Sequence, residues 1–156
     1  MASSSNFFAF LTLSFFSSAC FASDDPAIVE TAKRMNWSIE AVQEFHQTGC
    51  ESGRSKEMTI CGAYAYVQAD MKLNAAYSQL LAEMETKVAK LKLVSAQRAW
   101  IAYRDSACTF EADGYLKSKD YSAVAFSCKG RYTTERIAHL EGFLACDGKY
   151  GCPGSR

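Results

Sequence analysis

The run Ala96 to Cys108, AQRAWIAYRDSAC, concentrates the reactive and recognition side chains of this chain in one helical stretch. Trp100 and Tyr103 offer aromatic faces, Arg98 and Arg104 offer planar cations, and Cys108 offers a thiol. Such a set can build cation–π contacts, bidentate ion pairs and a disulfide. It holds no nucleophile paired with a base, so the run does not read as catalytic. His46 stands near Glu44 without a nucleophile beside it, and it reads as a polar helix-end residue. His139 reads as packing or capping within a helix. Asp105, Glu111 and Asp113 read as a solvated face and helix end, and no enzyme is expected.

The elements that must position this run follow from periodicity. From Ala63 to Asp113 there is neither Gly nor Pro, so the region is expected to be helical nearly throughout. It is too long for one helix, and the turn falls near Glu85 to Lys87, where Thr86 can cap a second arm. An antiparallel helical hairpin results. At about 100° per residue, Asp70, Leu73, Tyr77, Leu80, Leu81, Met84 and Val88 share one side of the first arm. On the second arm Leu93, Gln97, Ile101, Arg104 and Cys108 form one stripe, and Ala96, Trp100, Tyr103 and Ala107 form the next. Arg98, Asp105 and Thr109 face away, which leaves only a narrow face for water.

Asp70 and Arg104 then lie at nearly the same level of the hairpin. A buried guanidinium needs compensation, and Asp70 can supply it bidentately while Asn74 or Gln97 takes a remaining hydrogen bond. Asp70, Asn74, Gln97, Trp100, Tyr103 and Arg104 are therefore expected to form a structural clamp. A ligand site built on the same residues is the alternative.

Ahead of the hairpin, Pro26 opens a short helix with Ile28, Val29 and Ala32 at helical spacing. Asn36 or Ser38 caps a second, carrying Ile39, Val42 and Phe45 and broken at Gly49. After it, the segment from Gly114 to Tyr121 reads as a loop. A last helix follows from about Ser122 to Ala145, with Phe126, Thr133, Ile137, Leu140 and Leu144 on one stripe and Gly130 weakening it.

The first residues are apolar from Phe7 to Phe16 and uncharged before Asp24, the pattern of a secretory signal cleaved after Ala22. The competing reading is a lipobox over Ser17-Ser18-Ala19-Cys20, and lipidation of Cys20 is the one route to a membrane. Cleavage removes Cys20 from the 7 cysteines and leaves Cys50, Cys61, Cys108, Cys128, Cys146 and Cys152. An even set in an oxidising compartment implies disulfides, and pairing each cysteine with its neighbour closes the shortest loops. Zinc is disfavoured because no CxxC spacing occurs and the histidines lie far apart, so no metal and no cofactor are expected. The chain has 156 residues, 49% of them hydrophobic, which suits one compact domain, and its 17 basic residues balance 17 acidic ones. No field points to nucleic acid.

The sequence resembles the LprI-type lysozyme inhibitor family, small exported helical domains of bacterial envelopes. The resemblance runs from Cys50 to Leu144. It rests on Cys50, Glu57 and Cys61, on Asp70, Leu73, Asn74 and Tyr77, and on Ala96, Gln97, Arg98, Trp100, Ile101, Tyr103, Arg104, Asp105 and Cys108. Cys128, Thr133, Arg136 and Leu140 complete it. Residues 24 to 49 and the pair Cys146 and Cys152 depart from the family pattern.

The expected organisation is a signal peptide over 1–22, a helical extension over 23–49, a family-like domain over 50–145 and a tail over 146–156. The fold class is all-α, a small disulfide-stapled bundle. The resemblance implies a periplasmic or secreted inhibitor whose partner is a lysozyme or another cell-wall hydrolase. A non-inhibitory envelope module, or an immunity protein against such a hydrolase, is the alternative. For inhibition, Tyr115, Lys117, Ser118, Lys119 and Tyr121 form the candidate loop, since a cation-bearing projection suits a cleft with two carboxylates. A solvated turn is the competing reading of that loop.

Overall fold

The computed structural model describes residues 25–48, 50, 53–146 and 152. The expected signal segment, Cys20 and most of the tail lie outside the described residues. The described residues form five α-helices and one 3₁₀ turn: α1 Pro26–Met35, α2 Ile39–Thr48, α3 Ser55–Glu83, α4 Lys87–Ala112, the turn Asp113–Tyr115, and α5 Tyr121–Leu144. The protein is an all-α helical bundle, and no strand occurs among the described residues.

Local chemistry sets the boundaries. Asp25 caps α1 by accepting a 2.8 Å hydrogen bond from the Ala27 amide, and Asn36, in the left-handed conformation at φ 53°, ends it. Ser38, not Asn36, caps α2, its Oγ accepting from the Ala41 amide at 3.2 Å. Thr86 caps α4 through the Ala89 amide at 3.1 Å, so the turn falls over 84–86. α3 begins at Ser55, a full two turns before Ala63, because Gly62 does not break it. A Cβ at Gly62 would sit 3.4 Å from the Phe126 Cβ, and one at Gly130 would sit 3.7 Å from the Tyr66 Cα. The two glycines lie where α3 and α5 approach closely, and packing between helices outweighs their weak propensity.

A third helix completes the antiparallel hairpin. α3 and α4 are joined by the short turn, but the most extensive contact of α3 is with α5, and α4 packs chiefly on α5. α5 runs parallel to α3, as Gly62 beside Ala123–Ser127 and Gly130 beside Tyr66 require. α4 runs antiparallel to α5, since Cys108 bonds Cys128 while Gln97 meets Arg136. One apolar core unites Ala69, Leu73, Ala76 and Leu80 of α3 and Met84 just after it with Leu93 of α4 and Ile137 and Leu140 of α5. A second joins Ala27, Ile28 and Ala32 of α1 and Val42 of α2 to Ile60 and Tyr64 of α3. Val88, expected within the first arm's apolar stripe, is exposed, because the chain has already turned before it.

The six cysteines form Cys50–Cys61, Cys108–Cys128 and Cys146–Cys152. The first ties the end of the α2 segment to α3, and the second bolts α4 to α5.

Candidate functional site

Arg104 is the centre of the polar interior, only 5% exposed. Its Nη1 lies 3.6 Å from Asp70 Oδ1 and donates to Thr133 Oγ1 at 3.3 Å. Its Nε and Nη2 both reach Asp105 Oδ1 at 3.0 Å. The guanidinium also lies 5.0 Å from the Trp100 ring and 5.3 Å from the Tyr66 ring. A planar cation enclosed by two rings and two carboxylates is a desolvated but compensated charge.

Several expected partners differ. Asp70 does not clasp Arg104 bidentately, since its Oδ2 is taken by Arg34 Nη1 at 2.7 Å. Burial works against the Arg34 charge, yet its bonds to Glu30 and Asp70 outweigh that and raise its pKa. Asp105, expected to face away, supplies the shorter contacts to Arg104 and also meets Lys129 at 3.4 Å. Neighbours at i and i+1 do not face each other on a helix in general, so only the length of the arginine side chain allows this pair. Asn74 donates to Asp70 at 3.5 Å rather than accepting from Arg104. Gln97 instead accepts from Arg136 Nε at 3.0 Å. Tyr103 stands outside the clamp, 59% exposed, and meets Tyr132 edge-on at 5.7 Å. Glu111, expected to be free in solvent, is held by Arg131 at 2.7 Å and by Tyr132 at 3.2 Å.

Two contributors escape periodicity because each comes from a separate element: Arg34 from the N-terminal extension, and Arg136 from α5. Arg136 has its pKa lowered by burial alone. Among the described residues no carboxylate meets it, and Gln97 is its hydrogen-bonded neighbour.

The candidate loop sits at the other end of α4. Tyr115, Lys117, Ser118 and Lys119 are exposed, while Tyr121 is half-buried as the first residue of α5. The loop is fixed by short polar bonds. Ser118 N donates to Tyr115 O at 2.7 Å, Ser118 Oγ accepts from the Asp120 amide at 3.1 Å and donates to Asp120 Oδ2 at 3.1 Å. Ser55 Oγ of α3 donates to Asp120 Oδ1 at 2.5 Å. These hydroxyls, Ser55 first, hold the Asp120 carboxyl below its usual range. Ser118 is thus engaged within the loop, and Lys117 and Lys119 are its outward cations.

Beside the loop lies a groove of about 400 Å³ between α2 and the start of α3, lined by Trp37, Ala41, Ile60 and Thr59 with Lys56 and Lys119 at its margin. Among the described residues no group of His, Cys, Asp and Glu could hold a metal ion, and no helix is long and apolar enough to cross a membrane.

The family described as Lysozyme inhibitor LprI matches residues 49–140. The chain belongs to the LprI family. The LprI match takes in α3, α4 and nearly all of α5, hence Asp70, Arg104, Thr133, both inter-helix disulfides and the loop. It leaves out α1 and α2, which supply Arg34 and Trp37. No curated protein and no solved structure matches the chain.

Proposed function

We propose that this LprI-family chain is an exported inhibitor that blocks a peptidoglycan-cleaving lysozyme. The family match carries the class of function. The locked loop supports the choice of inhibitory element: it presents Lys117 and Lys119 on a backbone already fixed by Ser118, Ser55 and the Cys108–Cys128 bond. A lysozyme cleft carries two carboxylates, and a loop whose backbone is already fixed presents two lysines to them with only side-chain ordering left to supply. Tyr115 flanks the loop as an exposed aromatic anchor. The Arg104 constellation acts as the frame that keeps α4 and α5 in register beneath it. Residues 1–22 serve as the export signal, and the chain works in the periplasm or outside the cell.

The groove supports a second reading, a module that binds a cell-wall fragment. Its apolar floor and paired lysines suit a carboxylated sugar of the wall.

The deciding experiment is titration of the mature, oxidised protein into a lysozyme assay on bacterial cell walls. Lysis slows to a defined stoichiometry, and the Lys117→Ala/Lys119→Ala variant loses at least tenfold in potency with an unchanged melting temperature. Absence of inhibition against several lysozyme types sinks the proposal. Full inhibition by the double variant moves the contact elsewhere, with Arg136 the next cation to replace.

A further inference from the structure

We propose that the outward face of α4 pairs with the same face of a second copy of this chain, antiparallel, about a two-fold axis near the midpoint between Ala99 and Ala102. That face has no cover in the monomer. α4 buries one stripe, Leu93, Gln97, Arg104, Cys108 and Ala112. The opposite side leaves Val88, Leu91, Tyr103 and Phe110 exposed, Phe110 at 82%. An aromatic ring so bare on a straight helix is the kind of apolar exposure that marks an interface.

The charge distribution selects the occupant. Exposed Lys87, Lys92 and Arg98 fall in the first half of α4 and exposed Asp113 falls just past its end, while Asp105 and Glu111 are already held within the chain by Arg104, Lys129 and Arg131. The first turn has no acidic residue and the last has no basic one, the reverse of what the helix dipole favours within one chain. An antiparallel copy resolves this, because it sets each basic end and its dipole against an acidic end of opposite dipole. Lys87 of one copy then comes level with Asp113 of the other.

The apolar residues obey the same symmetry. With a rise of about 1.5 Å per residue, Ser95 falls level with Ser106, Leu91 with Phe110, and Arg98 with Tyr103 across the axis. Small exposed Ala99 and Ala102 at the centre let the helices approach closely, and the large side chains close the ends. An isologous interface requires this self-complementarity.

The test is sedimentation equilibrium of the oxidised, mature protein over roughly 1–100 μM, a range that brackets ordinary dimer affinities. The wild type sediments at twice the chain mass at the upper end. Ala99→Lys/Ala102→Lys, at exposed positions, sediments as a monomer with unchanged helicity. Lys87→Glu and Asp113→Lys each weaken the dimer tenfold or more, and mixing the two single variants restores association, because in the mixed dimer both pairs are complementary, one native and one with its charges exchanged. A monomeric wild type, or a dimer that survives Ala99→Lys/Ala102→Lys, overturns the proposal. Lysozyme inhibition is measured in parallel: a monomeric wild type that loses inhibition in the lysine variant gives this face to the hydrolase instead, while a dimer without inhibition leaves this pairing standing and removes the inhibitor reading.

Discussion

The seam between α3 and α5 and the outer face of α4 are made of similar residues and meet opposite fates. In the seam Gly62, Gly130, Ala69 and Ala76 let two helices come together, and Tyr66 stacks on Phe126 with ring centroids 6.2 Å apart. On α4, Ala99, Ala102, Ser95 and Ser106 alternate with Tyr103 and Phe110, yet all are exposed. Small residues with interspersed aromatics permit close approach of helices. They do not say which helix approaches. In the seam the partner belongs to the same chain, and the Cys108–Cys128 bond ties α5 to α4 beside it. For α4 the polar stripe decides instead, because Arg104 finds Asp70, Asp105 and Thr133 only on the side facing α3 and α5.

Arg104→Ala is the most damaging way to break this contrast. It removes the cation that fixes which side of α4 points inward. Breaking a buried ion pair costs about 3–5 kcal/mol. Asp70 keeps Arg34 at 2.7 Å and Asp105 keeps Lys129 at 3.4 Å, so the loss falls near the lower end, about 3 kcal/mol. Denaturant unfolding measures it. Arg104→Lys retains charge without the planar fork and should lie between the wild type and alanine. A melting curve unchanged by alanine would show that α4 is oriented by its apolar residues alone.

Gly130 and Ala102 give a smaller and sharper comparison. A Cβ at Gly130 meets Tyr66 Cα at 3.7 Å and Tyr66 N at 3.8 Å, ordinary contact. Gly130→Ala should therefore gain up to about 1 kcal/mol from helix propensity, whereas Gly130→Leu should lose about 1–3 kcal/mol by forcing the seam apart. The alanine-to-leucine increment at Ala102, measured in dilute solution, should change stability by less than about 0.5 kcal/mol. Equal effects of the larger side chain at both sites would mean that the two faces are equally buried.

Much of the architecture was legible because it is local. Thr86 as cap, the turn after Met84 and the helical length of both arms follow from propensity and capping within a few residues. The disulfide partners are near neighbours in the sequence for the same reason. What was not legible depends on a third element. The burial expected for Ile101 and Tyr103 failed because periodicity identifies an apolar side but not whether a neighbour exists to cover it. Asp70 and Arg104 do lie 3.6 Å apart, but their other partners were not legible, since Arg34 and Thr133 arrive from α1 and α5. The expected helical region started only at Ala63, whereas α3 runs from Ser55 through Gly62, which lies where α3 and α5 approach closely.

Acidity and alkalinity separate the bundle from its N-terminal cover, and here the expected effect is smallest. Asp25 accepts from Tyr64 Oη at 2.8 Å and from the Ala27 amide at 2.8 Å. The Tyr64 bond leads in holding its carboxyl below the usual value. A depressed acid stabilises the fold above its unfolded pKa, so that contribution is lost as the pH falls below about 4. Tyr64 is shifted the other way, up to about 12, by burial first and then by Asp25. Its contribution is complete below the unfolded value of 10.0 and disappears as the pH rises towards about 12. Hydrogen exchange resolves the two regions: protection at α1 should fall at both extremes while Ile137 and Leu140, inside the seam's core, hold longer. Asp25→Asn keeps a capping side chain but has no carboxylate to protonate, so it should flatten the acid limb. If α1 and α5 instead lose protection together at every pH, the cover and the seam are one cooperative unit, and the Asp25–Tyr64 bond is no weaker a joint than the close approach of Gly62 and Gly130.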